Sequence, residues 1–344
     1  MKQVRIALLT GGGDSSAINA AIRAVVRVSI AEGFEVIGIK RGWRGLIYDE
    51  VEPLFMGSVS GIIQRGGTIL GTSRTNPFKT ESGVENIMVN LRKHGIDAVI
   101  AIGGEDTNGV AHRLAEYGVK CVGVPQTIDN DLPGTDYSIG FDTAVAVACD
   151  ALDKLHTTAF SHHRIMVLEV MGRDAGWIAL IAGIAGGADT ILVPEVPFTM
   201  EEVLERIERR HRMNKDFSII VASEGAKPAG REEQFVQDQK KDPFGHVRLG
   251  GIGDWLAAEI EDTTGYETRV THLGHLQRGG IPTVSDRVLA TRLGALAVYM
   301  VKEGVFDHMA CMRAGEFKAV PYSEALKGTK QVDLDLYELA KLFF

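Results

Sequence analysis

Short apolar runs alternate along this chain with stretches of helical period. The first run, Val4–Leu9, stops at Thr10-Gly11-Gly12-Gly13-Asp14-Ser15-Ser16, and Ala17–Gly33 then repeats its apolar residues at helical spacing. Further strands are expected at Phe34–Lys40, Ala98–Ile102, Lys120–Val124, Arg164–Gly172, Asp189–Glu195 and Phe217–Ala226. Helices are expected at Val84–His94, Asn108–Tyr117, Asp142–Ala159, Gly253–Asp262, Val288–Lys302 and Asp335–Phe344. Another starts after Arg173-Asp174-Ala175-Gly176-Trp177 and ends at Gly186-Gly187, and Thr199-Met200-Glu201-Glu202 has the spacing of a capping box before a charged helix to Asn214. Strands that read as unbroken apolar runs are buried on both faces, and their alternation with helices predicts βαβ units and parallel sheets, whose carboxyl edges collect ligands. Two such arrays follow one another. The fold class expected is α/β, with two sheets facing each other across a cleft.

The length, 344 residues, fits two domains or one large α/β unit. A formal charge of −8 argues against non-specific binding to nucleic acid, so an anionic ligand needs a local cluster of Arg or Lys. The three cysteines, Cys121, Cys149 and Cys311, are scattered, and reduced thiols in a cytoplasmic protein are expected. No run is apolar for long enough to span a bilayer, so no membrane partner is expected. Lys227–Gly250, with its charged run, is expected to be a solvated surface excursion.

The chemistry concentrates where strands end. Asp14, Glu105, Asp106, Asp129 and Asp131 each follow a predicted strand immediately, and the loop after Pro125 carries three side-chain oxygen groups, Asp129, Asn130 and Asp131. A carboxylate in such a place can take a proton from an alcohol or hold a divalent metal. The glycine turn after the first strand presents free backbone N–H groups to an anion, although it is neither a P-loop nor a dinucleotide fingerprint. Gln64–Lys79, rich in glycine and carrying Arg65, Arg74 and Lys79, can add guanidinium donors. Later in the chain, Thr268–Arg287 gathers Arg269, His272, His275, Gln277, Arg278 and Arg287.

Several long motifs together resemble the 6-phosphofructokinase superfamily of ATP- and pyrophosphate-using enzymes. They are GGGD, GGTILGTSR, IGGEDT, TIDND, GFDTAV, SHHRIMVLEVMGRDAGW, ASEGA and LGHLQRGGIPTVSDR, and the resemblance runs in order from Ile6 to about residue 305. It implies two Rossmann-like three-layer α/β domains facing each other across an active-site cleft, a donor-phosphate domain of residues 1–140 and 277–327 and a sugar-phosphate domain of residues 141–276 and 328–344. The implied reaction, a step of glycolysis, moves a phosphoryl group onto the C1 hydroxyl of fructose 6-phosphate to give fructose 1,6-bisphosphate. By the same resemblance Asp129 is the base, with Thr127, Asp131 and Arg173 beside it in catalysis. Gly13, Arg74, Asp106 and Gln126 face the donor, and Glu105 is an acid associated with Mg²⁺. Arg164, Met171, Gly172, Glu224, Arg269, His275 and Arg278 hold the sugar phosphate, with Arg164 reaching over from a neighbouring subunit. A homodimer or homotetramer is therefore implied.

The donor is read from Asp106. ATP users of the superfamily generally have glycine there. A carboxylate adds bulk and sets like charge against a nucleotide phosphate, roughly 4 kcal/mol per pair at ~4 Å and an effective dielectric near 20. Pyrophosphate is thus the expected donor, and ATP the alternative. Two departures from the family pattern accompany it: Gln126 stands where pyrophosphate users carry lysine, and Ser15-Ser16-Ala17 replaces a proline and glycine. They keep a third reading in view, a homologue that binds sugar phosphate with impaired catalysis.

Overall fold

The computed structural model describes residues 3–231, 233–238 and 242–343. Two compact units divide the chain: Met1–Thr143, Asp242–His246 and Arg278–Thr329 form the first, and Ala144–Lys241, Val247–Gln277 and Lys330–Phe344 the second.

The first unit is built on a seven-stranded sheet. Its strands are β1 (Arg5–Thr10), β2 (Glu35–Ile39), β3 (Val51–Leu54), β4 (Ala98–Gly103), β5 (Cys121–Pro125), β12 (His308–Arg313) and β13 (Glu316–Pro321), in the order β13-β12-β5-β4-β1-β2-β3. The five inner strands are parallel, and β3 and β13 close the edges antiparallel. Side chains alternate across a strand, so β1 feeds two cores at once: Ile6 and Leu8 enter one apolar cluster, Ala7 and Leu9 the other. That double burial is why the run shows no polar alternation.

The second unit holds β6 (Ile165–Val170), β7 (Thr190–Leu192), β8 (Ser218–Ser223) and β11 (Thr268–His272), all parallel, in the order β11-β6-β8-β7. A third core cluster lies here, with Val167, Ile220 and Leu256 at its centre. β9 (Val236–Asp238) and β10 (Arg248–Leu249) pair as a small antiparallel ribbon. Fold class is therefore α/β, as the alternation predicts, with two Rossmann-like units.

Several elements differ from expectation. β3, β11, β12 and β13 were not expected, and the strand expected over Asp189–Glu195 narrows to β7. The helix expected from Asn108 starts at Glu105 and runs to Ala115, so both acids of the pair occupy its first turn, where the helix dipole favours negative charge. The helix expected from Val288 starts at Val284, because the Thr283 hydroxyl accepts the Asp286 N–H at 3.2 Å and caps it. The capping box is present: the Thr199 hydroxyl accepts from the Glu202 N–H, and the Glu202 carboxylate accepts from the Thr199 N–H, both at 3.2 Å. The final helix spans Leu334–Ala340, with a 3-10 turn to Phe343; Phe344 lies outside the described residues, as do 232 and 239–241 of the expected excursion. Among the described residues no helix is long and apolar enough to cross a membrane.

Candidate functional site

In the first unit, β1, β4 and β5 deliver three loops side by side. The first turn is tied to both of its neighbours: Gly11 N–H donates to Ile102 O at 3.0 Å, Gly12 N–H to Ser73 O at 3.2 Å, and the Thr72 hydroxyl to Gly12 O at 2.7 Å. Gly13 leaves room for a guanidinium. A Cβ there would lie 2.2 Å from Arg278 Nη1, which donates to Asp14 O at 3.1 Å. Ser15 and Ser16 are buried and bond inward, Ser15 to Ile139 O at 3.4 Å and Ser16 to Gly279 O at 2.8 Å. The serine departure thus braces the turn from behind.

β4 ends at Gly103, and Gly104 caps the helix that carries Glu105 and Asp106. The next loop packs on this point. Gln126 N–H donates to Gly103 O at 3.0 Å, and a Cβ on Gly104 would meet the Thr127 side chain at 3.7 Å. The Thr127 hydroxyl accepts the Asp129 N–H at 3.2 Å, and Ser138 donates to Thr127 O at 2.6 Å. Asp129 and Asp131 are partly exposed. Asn130, read from sequence as one of three polar groups offered by this loop, is 2% exposed and turned inward. Its backbone is left-handed, φ 51°, its amide donates to Asp136 O at 3.2 Å, and its carbonyl accepts the Ser138 N–H at 3.0 Å. It shapes the loop; the two aspartates are left as its chemistry. Gln126 is 1% exposed, and neither amide atom has a hydrogen-bond partner. An unmatched buried amide costs about 1–3 kcal/mol.

Burial raises the pKa of Asp106, while the His246 imidazole, 3.3 Å away, works in the opposite sense. Arg74 is engaged as well, donating to Asp242 at 3.0 Å. Neither His246 nor Asp242 was singled out from the sequence, since both lie in the stretch expected to be solvated.

In the second unit, β6 and β8 end together. Gly172 adopts φ 138°, where a Cβ would sit 2.4 Å from Ser223 Oγ, and its carbonyl accepts that hydroxyl at 2.6 Å and the Gly225 N–H at 3.1 Å. Met171 N–H donates to the side chain of Gln277 at 3.3 Å. Arg173 reaches Val247 O at 2.5 Å, and Glu224 stands at the end of β8, its N–H on Val170 O at 2.8 Å. Met171, Gly172, Arg173 and Glu224 therefore share one edge. His275 is exposed on the 3-10 turn Gly274–Arg278, next to Gln277.

Arg278 ends the same 3-10 turn, and its guanidinium stands against Gly13. Arg269 pairs in register with Met166, near the start of β6, and forms ion pairs with Glu261 at 3.2 Å and with Glu267. Arg164 precedes β6 and meets the same Glu267 at 2.7 Å. The two arginines thus gather at one end of the sheet, about 20 Å along β6 from Met171 at ~3.3 Å per residue. Among the described residues no group of three or more His, Cys, Asp or Glu is placed to hold a metal.

A model of the family described as "Phosphofructokinase" matches residues 5–301. The chain belongs to the phosphofructokinase family. It is 54% identical to a pyrophosphate--fructose 6-phosphate 1-phosphotransferase of Amycolatopsis methanolica, over 99% of this chain and 100% of that one. An ATP-dependent 6-phosphofructokinase of Corynebacterium efficiens is 46% identical, over the whole of both chains. Among solved structures, the pyrophosphate-dependent phosphofructokinase of Marinobacter aquaeolei matches with a TM-score of 0.82 and 26% identity, over 96% of this chain and 86% of that one. The phosphofructokinase of Saccharomyces cerevisiae matches with a TM-score of 0.79 and 32% identity over 94% of this chain, which spans 45% of the yeast chain. Relatives named for either donor are thus similar to this chain over its full length.

Proposed function

We propose that this protein is a 6-phosphofructokinase that transfers a phosphoryl group from pyrophosphate to the C1 hydroxyl of fructose 6-phosphate, giving fructose 1,6-bisphosphate and orthophosphate. The observation that carries the reading is the packing of the Gln126–Asp131 loop onto Gly103 and Gly104, beside a glycine turn backed by a guanidinium. It brings a proton acceptor and an anion cradle into one unit. The full-length similarity to an enzyme named for pyrophosphate supports the donor, and so does Asp106.

Asp129 takes the proton of the C1 hydroxyl as that oxygen attacks phosphorus. The bond from phosphorus to the bridging oxygen breaks, and orthophosphate leaves. Such transfer needs alignment and charge neutralisation more than covalent help. Gly13, Arg74 and Asp106 border the donor, the unmatched Gln126 amide suits a phosphoryl oxygen, and Thr127 and Asp131 complete the loop. Met171, Gly172, Arg173 and Glu224 hold the sugar, with His275 toward its 6-phosphate. Arg164 and Arg269, already paired on Glu267, suit the 6-phosphate of a neighbouring chain in a homo-oligomer.

Glu105 is a hard oxygen ligand in a helix first turn. One such carboxylate fits Mg²⁺, which commonly keeps water and substrate phosphates as its other ligands. When bound, the ion neutralises charge between the phosphoryl groups. A reaction of this kind places the protein in glycolysis, and in the cytoplasm.

A coupled assay offering fructose 6-phosphate with either pyrophosphate or ATP tests the reading. Turnover is expected with pyrophosphate, and turnover with ATP alone would refute it.

A further inference from the structure

One short turn engages three polar side chains on the donor side of the first unit. Asp242 organises it: one carboxylate oxygen accepts the N–H groups of Phe244, Gly245 and His246 at 2.9, 2.9 and 3.0 Å, and the other accepts Arg74 at 3.0 Å. Pro243 O accepts Lys79 Nζ at 2.7 Å. His246 lies 3.3 Å from Asp106. Phe244 is partly buried against the apolar cluster that includes Val110 and Leu114, on the helix begun by Glu105 and Asp106. The turn is therefore anchored from below and rigid from within, and it occupies the space around Arg74, Lys79 and Asp106.

We propose that the turn Asp242–His246 is a specificity-determining element for the donor, with His246 its decisive residue, closing the site to donors that carry more than a diphosphate. The inference rests on the pyrophosphate reading and deepens it. In this proposal a diphosphate sits between the Gly11–Gly13 turn and the helix at Glu105, and a nucleoside attached to it is directed at Arg74, Lys79 and Asp106, each of which is bonded to the turn. Removing the Asp106 carboxylate alone leaves the imidazole, Phe244 and the Asp242 brace in place. A donor with a nucleoside gains room only when His246 is shortened too.

The test is a calorimetric titration of ATP with Mg²⁺ into the wild type, Asp106→Gly, His246→Ala, and Asp106→Gly combined with His246→Ala. Thermal unfolding of each checks that it is folded, and Asp242→Asn, which loosens the brace without touching the imidazole, is a second route. Asp106→Gly is expected to bind ATP more tightly than the wild type, because it removes the like charge that opposes a nucleotide phosphate. The double variant is expected to bind at least tenfold tighter than Asp106→Gly, and Asp242→Asn in the Asp106→Gly background should recover part of that gain. Equal affinity of Asp106→Gly and the double variant overturns the proposal, whichever level they share. Pyrophosphate turnover by the wild type without the tenfold gain fails this inference alone; the gain without pyrophosphate turnover fails the functional reading alone.

Discussion

Two residues central to the proposed chemistry, Asp129 and Gln126, are separated by two positions in one loop and differ in how they are served. Asp129 has its backbone fixed by Thr127. Asp129→Asn keeps that geometry and removes the proton acceptor, so turnover is expected to fall by about 10²–10⁴-fold with fructose 6-phosphate binding nearly unchanged. Steady-state rates beside a sugar-phosphate titration check it, and an undiminished rate would remove Asp129 from the role of base. Gln126 is buried with an amide that finds no partner. Replacing it with lysine puts a charge where the transferring group gathers negative charge, and the pyrophosphate-dependent kcat is expected to rise. A variant that folds without gaining rate would show that Gln126 does not limit the reaction. Asn130 differs from both: its type invited a chemical reading, and its left-handed backbone and inward amide give it a structural one.

At the scale of elements, what was legible in the sequence is what local physics decides. β1, β4, β5, β6 and β8 were readable because a strand buried on both faces shows as an unbroken apolar run. The Thr199 capping box was readable because its two bonds lie within four residues, and Thr199→Ala is expected to lower stability by about 1 kcal/mol in urea unfolding. β11, β12 and β13 were not. Arg269, His272, His308 and Arg313 make β11 and β12 look like polar loops, pairing with the distant β6 and β5 orders them, and β13 folds back on β12. The same limit hid the Asp242–His246 turn, whose partners stand more than a hundred residues away. β11 also carries a titrating contact. Burial opposes the charge on His272, yet Glu169 at 3.3 Å and Asp254 at 3.2 Å prevail and raise its pKa above the ordinary histidine value. A raised pKa in the folded state gives stability that is full below the unfolded value, near 6.5, and is lost as pH rises through the folded one. His272→Gln is therefore expected to cost more stability at about pH 6 than at about pH 8, and an equal cost at both would count against the contact.

Within the second unit, Arg164 and Arg269 stand apart from Met171, Gly172, Arg173 and Glu224. Arg164 and Arg269 meet on Glu267, far along β6 from Met171 and Arg173. If they complete the site of another subunit, two inactive variants can repair each other. Co-expressed Asp129→Asn and Arg269→Ala chains are expected to regain activity on the order of a quarter of the wild type for a random dimer, because one of two sites in each mixed pair is intact. Mixed oligomers with no recovery would place Arg269 outside the site. A last consequence follows from the seven-stranded sheet. Cys121 and Cys311 are wholly enclosed in it, and burial is the main cause that pushes the Cys311 thiol up to about 12 and the Cys121 thiol higher still. An alkylating reagent thus meets neither sulfur until β5 or β12 parts from its neighbours, and the pace of labelling becomes a clock for how often that sheet opens.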